Sequence, residues 1–211
     1  MFNLTNEELK LFKSLNTPSK IQDFINKIPI NFEESGKDSC YSPRMVLEKN
    51  RCHCIEGAIL AALILRVNGF PPLLVDMTAN DKDFDHVIAV FQKDNKWGAI
   101  TKTNHYSLRY REPVYESIRE LIMSYFHEYF NDKGEKTLRS YSNPVDLTIF
   151  DHENWMTTEN EIWQIPSYLV EVEHFPILTK SQIASLRNAD KIEMKVSEMI
   201  EYKSKKMKKN F

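Results

Sequence analysis

The sequence predicts an α+β fold in which one apolar helix packs on a small antiparallel sheet. Residues 54–69 read as a helix that Gly69 ends and Pro71–Pro72 prevent from continuing. Short apolar runs follow at Leu73–Asp76, Val87–Phe91 and Trp97–Thr101, each bounded by polar or turn-forming residues. The last two flank Lys93-Asp94-Asn95-Lys96, a polar turn that reads as a hairpin.

Earlier in the chain, Thr5-Asn6-Glu7-Glu8 is a capping box leading into Leu9, Leu11, Phe12 and Leu15. Thr17-Pro18 opens a second helix with a capping hydroxyl and proline at the first helical position. Its residues Ile21, Phe24, Ile25 and Ile28 fall at i, i+3, i+4 and i+7, and Pro29 stops it. Ser42-Pro43 opens a short helix over Arg44–Lys49, and Ala79–Asp85 is an acidic loop. Pro113 is expected to open a long amphipathic helix burying Val114, Ile118, Leu121, Ile122, Tyr125, Phe126 and Tyr129, ending near Gly134. Leu138–Phe150 reads as extended, Thr158–Glu161 as a cap for a helix carrying Ile162 and Trp163, and Tyr168–Val172 as a strand. A helical pattern runs from Thr179 to the tail, interrupted near Asn188–Asp190. The expected organisation is a single domain, with N-terminal helices over 1–50, a core over 51–145 and a helical extension over 146–211.

Composition narrows the class. A chain with 42% hydrophobic and 27% charged residues has ample material for a core, and a net charge of −2 gives no general affinity for nucleic acid or membranes. The lysine-rich tail Lys203–Lys209 is the exception, read as a solvated helix end. Three cysteines, Cys40, Cys52 and Cys54, are too few and too clustered for a disulfide framework. The N-terminus lacks a basic region followed by an apolar run, and Ala58–Leu65 is too short to span a bilayer, so a cytoplasmic protein is expected.

Chemistry concentrates where Cys54 starts the apolar helix and His86 opens the strand after the acidic loop. A thiol at a helix N-terminus sits among unpaired backbone N–H groups and the positive end of the dipole, which favours thiolate. An imidazole brought beside it supplies a base, and a third polar residue ordinarily fixes that imidazole's tilt. Strand order places the third residue within Trp97–Asn104. The plain alternatives are a small core cysteine and a hydrogen-bonded edge histidine. Cys52 is the rival thiol but lies upstream in the loop, and Cys52-His53-Cys54 poorly matches structural zinc spacing, so no metal or other cofactor is expected.

Cys54, Ala58 four residues on, Gly69 followed by Phe70-Pro71, His86 opening a strand and Trp97 opening the next resemble the core of the transglutaminase-like superfamily, of the papain-like fold class. WGAITKTNH and LRYREPVYESIRELIMSYFHEY resemble a bacterial branch of it. The resemblance implies a cysteine-dependent acyl transfer on an amide, of peptidase, deamidase or transamidase type, through a thioester on Cys54 with His86 moving the proton. A peptide, protein or small amide would be the substrate. The family's acidic third member sits four residues after the tryptophan, where this chain has Thr101. Asn104 is the alternative, which a bulge would have to bring round, with Asp76 and Asp85 behind it. A non-catalytic binding module on the same scaffold is the competing expectation.

Two further groups complete the reading. Glu56, in the first helical turn, is expected to face a cation such as Arg44 or Arg51. Lys102, Asn104, His105, Arg109, Arg111 and Arg119 read first as solvated or ion-paired side chains, and second as a rim for a carboxylate-bearing substrate. His127-Glu128 lacks the second histidine of a zinc-protease helix and reads as surface or buttress.

Overall fold

The computed structural model describes residues 2–33 and 36–204. The lysine tail from residue 205 onward lies outside them. Helices α1 (Asn6–Ser14), α2 (Pro18–Lys27) and α3 (Pro43–Lys49) precede α4 (Cys54–Val67), and Thr5, Thr17 and Ser42 cap the first three as expected. Strands β1 (Leu73–Ala79), β2 (His86–Lys93), β3 (Lys96–Ile100) and β4 (Arg111–Tyr115) follow. Then come α5 (Ile118–Met123), β5 (Leu138–Ser142), β6 (Val145–Asp146), α6 (Gln164–Glu171), β7 (His174–Pro176), α7 (Lys180–Ala184) and α8 (Lys191–Ser197). One antiparallel seven-stranded sheet runs β4-β3-β2-β1-β5-β7, with β6 also paired to β1. The chain is therefore α+β. Among the described residues no helix is long and apolar enough to cross a membrane.

The sheet is covered on both faces, which is why its central strand reads as an unbroken apolar run. Leu74, Val87, Ala89 and Phe91 pack with α4. The alternate residues Val75, Met77, Ile88 and Val90 pack with Leu121, Ile122, Tyr125 and Tyr129. Helix α4 is itself apolar all round because α1, α2 and α3 enclose the sides the sheet leaves free, so Ala58–Leu65 has no exposed position. Gly69 (φ 90°) ends this helix in the left-handed region. Asp94 and Asn95, both with positive φ, make the two-residue turn between β2 and β3.

Three expected elements differ. The helix expected from Pro113 is not continuous. Residues 111–115 form the edge strand β4, where the missing proline N–H costs no ladder bond and Val114 is exposed. Ser117 then caps α5, a single 3-10 turn covers Phe126–Glu128, and the predicted apolar face still reaches one cluster. Tyr168–Val172, expected as a strand, lies mostly in α6, where Ile165 and Leu169 are buried at i and i+4. That helix starts at Gln164, past the expected cap at Thr158–Glu161. The stretch expected to be a helical extension carries α6, α7 and α8 but also contributes β7 to the sheet, its His174 opposite Ser142.

Packing at the start of α4 is tight. A Cβ on Gly57 would lie 2.5 Å from Cβ of Lys102. Gly57→Ala is expected to destabilise the fold by about 1–3 kcal/mol through overpacking, measured by chemical denaturation.

Candidate functional site

Cys54, His86 and His53 line one open cleft of about 500 Å³, with Tyr129 and Glu128 among the other lining residues. Residue 54 is the first of α4, and residue 86 the first of β2, so the helix start and the strand start meet at the same end of the sheet. Phe84, 88% exposed, stands on the lip of the cleft just before Asp85 and His86.

The Cys54 thiol is held at about 5. Burial works against this, but hydrogen bonds and positive charge from His53 and His86 outweigh it. The other two cysteines are unlike it. Cys40 and Cys52 are fully buried and pushed up to about 12, chiefly by burial. Cys52 is fixed between Pro29 and Asn31, its N–H donating to Pro29 O and its carbonyl accepting from Asn31 N–H, both at 3.0 Å.

His53 was legible only as a poor metal ligand, and its place here is new. It is the N-cap of α4, and its Nε2–H donates to Ser39 O at 2.8 Å. Its pKa is raised to about 9. Burial lowers it, and the Cys54 hydrogen bond and the Glu56 charge more than reverse that. The signal in the sequence was its position, directly before the helix start with glutamate three residues later. Among the described residues no cluster of His, Cys, Asp and Glu is arranged to hold a metal ion.

Glu56 faces neither arginine named for it, and the cationic group beside it is His53. Arg44 forks onto Glu8 and Arg51 reaches the Tyr41 hydroxyl. Fully buried, Glu56 accepts hydrogen bonds from the Ser39 hydroxyl (2.8 Å), Tyr41 N–H (2.9 Å) and His53 N–H (2.9 Å). Its carboxylate also lies 3.5 Å from His53 Nε2. A buried charge needs this many donors, and Ser39, Tyr41 and the N-cap His53 supply them.

Each candidate third residue is engaged elsewhere. The Thr101 hydroxyl donates to Leu108 O at 2.5 Å, while its backbone exchanges two hydrogen bonds with the Gln22 amide. Asn104 clamps the backbone of Tyr202, accepting from its N–H and donating to its carbonyl. Residues 200–202 are thereby held against the chain after β3, where His105 pairs with Ile200 and Arg109 with Glu201, and Ser197 joins the cleft lining. Asp85 accepts from Ala79 N–H and Asp76 pairs with His174 at 3.1 Å. None of these contacts is with His86. Its Nε2 is buried and has no hydrogen-bond partner among the described residues.

The basic group after β3 is engaged within the fold, and Lys102, Asn104 and His105 also line the cleft. Lys102 is buried, its ammonium donating to Ile25 O and Ile28 O and so capping the negative end of α2. Arg111 pairs with Glu128 and lies over the Tyr125 ring, and Arg119 donates to Ile177 O. Glu128 also accepts from Leu108 N–H, so it is a buttress of the cleft wall.

Asp76 carries its own prediction. Burial raises its carboxyl to about 6, with the His174 hydrogen bond opposing. A carboxyl whose folded pKa is raised stabilises the fold at low pH and loses that contribution as pH climbs through the folded value. Asp76→Asn is therefore expected to raise the melting temperature at pH 8, with the gain shrinking as pH falls through about 6 and gone by about pH 4.

Compared with known proteins, no family model matches the chain, and no match is found among curated protein sequences.

Proposed function

We propose that this protein is a cysteine-dependent acyl transferase or amide hydrolase built on a transglutaminase-like, papain-like core. Cys54 attacks an amide carbonyl and forms a thioester, His86 delivers the proton to the leaving amine, and water or a second amine resolves the acyl-enzyme. The observation that carries this reading is the open cleft in which a low-pKa thiol at a helix start meets a strand-initial imidazole. Helix-start N–H groups near the sulfur suit the oxyanion that the attack creates. The orphaned Nε2 of His86 supports the second reading, a non-catalytic binding module on the same scaffold.

p-Nitrophenyl acetate tests the proposal, because it acylates an activated thiol and reports turnover by colour. Intact-mass and peptide analysis should find the acetyl group on Cys54 and not on Cys40 or Cys52. His86→Ala should slow steady turnover by about 10²–10⁴-fold, the range of a lost acid–base group. No acylation of Cys54, or turnover untouched by His86→Ala, would leave the binding module as the better account.

A further inference from the structure

We infer that His53 is a second catalytic imidazole of this site, the standing cationic partner of the Cys54 thiolate, while His86 alone carries the proton. The inference rests on the acyl-transfer reading and assigns its two histidines different work.

The geometry separates them. A carbonyl can only accept, so the 2.8 Å contact with Ser39 O requires a proton on Nε2 of His53. Nδ1 is then the nitrogen left for the sulfur, since the ring also hydrogen-bonds Cys54. Three anionic groups surround this ring. Glu56 lies 3.5 Å from Nε2 on the α4 side, Glu33 lies 3.7 Å away on the loop after α2, and the Cys54 sulfur takes the other side. With Ser39 O fixing one N–H and the sulfur the other, the ring is oriented without any third side chain. His53 thus needs nothing from Thr101 or Asn104, which the sequence offered as orienting residues for His86.

His86 is built differently. Its buried Nε2 bonds nothing among the described residues, so apart from the Cys54 sulfur no group there is seen to hold the ring. A base that must take and release a proton within each turnover is served by such freedom, and a permanent counter-ion is not. Sulfur attack forms the C–S bond as the C–N bond breaks, and protonated His86 gives its proton to the leaving amine. Water then attacks the thioester, returns a proton to His86, and the C–S bond breaks to restore the thiolate. Throughout, His53 keeps both of its protons and its charge faces the sulfur as electron density leaves and returns.

The test uses the full chain and two readouts. Ring ¹⁵N shifts of His53 in the wild-type protein at pH 7.5 should be those of an imidazolium. The thiolate absorbance of Cys54, followed against pH, should have its midpoint near 5 in the wild type. His53→Gln should move that midpoint up by more than one pH unit, and by more than His86→Ala does. His86→Ala should slow ester turnover by about 10²–10⁴-fold with most of the thiolate kept. Glu33→Gln, on a residue only partly buried, should lower the His53 pKa and guards against a His53 variant that fails to fold. A neutral His53 ring at pH 7.5, or a midpoint that follows His86 and not His53, would overturn the inference while leaving acyl transfer intact. An imidazolium and thiolate without acylation of Cys54 would instead overturn acyl transfer and, with it, the catalytic role of both histidines.

Discussion

Glu56→Ala is expected to lower the free energy of unfolding by roughly 3–5 kcal/mol, measured by urea denaturation. The carboxylate is fully buried and accepts from the Ser39 hydroxyl, Tyr41 N–H and His53 N–H. Alanine leaves those donors facing a cavity, at about 1–3 kcal/mol for each one that water cannot reach. Against a typical total of about 5–15 kcal/mol, such a loss brings the protein close to unfolding. Glu56→Gln should be milder, because an amide keeps one acceptor oxygen and fills the space, even though its NH₂ then meets a donor. Both variants should raise the pKa of Cys54. They remove a negative charge that keeps His53 protonated, so the sulfur loses part of its cationic partner. A Glu56→Ala protein with wild-type stability would mean that the loop over 31–41 does not depend on this carboxylate.

Elements whose signals are local were the legible ones. The capping box at Thr5 and Glu8 and the capping hydroxyl before Pro18 fix helix starts through contacts three residues apart. Asp94-Asn95 tolerates the left-handed backbone that a two-residue hairpin needs. The stretch at 111–129 misled because helical periodicity and a proline-bearing edge strand both place Tyr115, Leu121 and Tyr125 against the same cluster. Only the sheet edge offered by β3, distant in sequence, decides between them. The strand at His174–Pro176 is three residues long and exists because β5 presents a free edge, which nothing in those residues announces.

Cys54 and His86 could be picked out because each sits at the first position of an element with a strong pattern of its own. Glu56 could not be read correctly. Its partners Asn31, Ser39 and Tyr41 lie before α3, and a buried carboxylate satisfied by these donors and a histidine looks, in sequence, like one awaiting an arginine. Thr101 and Asn104 were reasonable candidates for the same cause. Both are small polar residues near the right strand, and their engagement with Leu108 and Tyr202 depends on how the later chain folds back. The place of Ser197 in the cleft lining follows from that return and from nothing nearer.

The pH dependence of alkylation gives the largest contrast within the molecule. With Cys54 at about 5 and Cys40 and Cys52 at about 12, their thiolate fractions at pH 6 differ by about 10⁶. Intrinsic nucleophilicity falls with pKa, at a Brønsted slope of about 0.4–0.5, and returns roughly three of those decades. Iodoacetamide at pH 6 is therefore expected to modify Cys54 about 10³ times faster than either buried cysteine, and burial of the latter two widens the gap. Against a free thiol of pKa about 8.5 the ordering should invert with pH. At pH 6 Cys54 is nearly all thiolate and a free thiol about 0.3% so, which leaves Cys54 ahead by about tenfold after the nucleophilicity correction. At pH 9 both are mostly ionised and the more basic free thiolate wins by about 30-fold. Rates that rise in parallel for Cys54 and glutathione from pH 6 to pH 9 would show that neither His53 nor His86 draws the thiol down. The sulfur at the start of α4 would then be an ordinary cysteine.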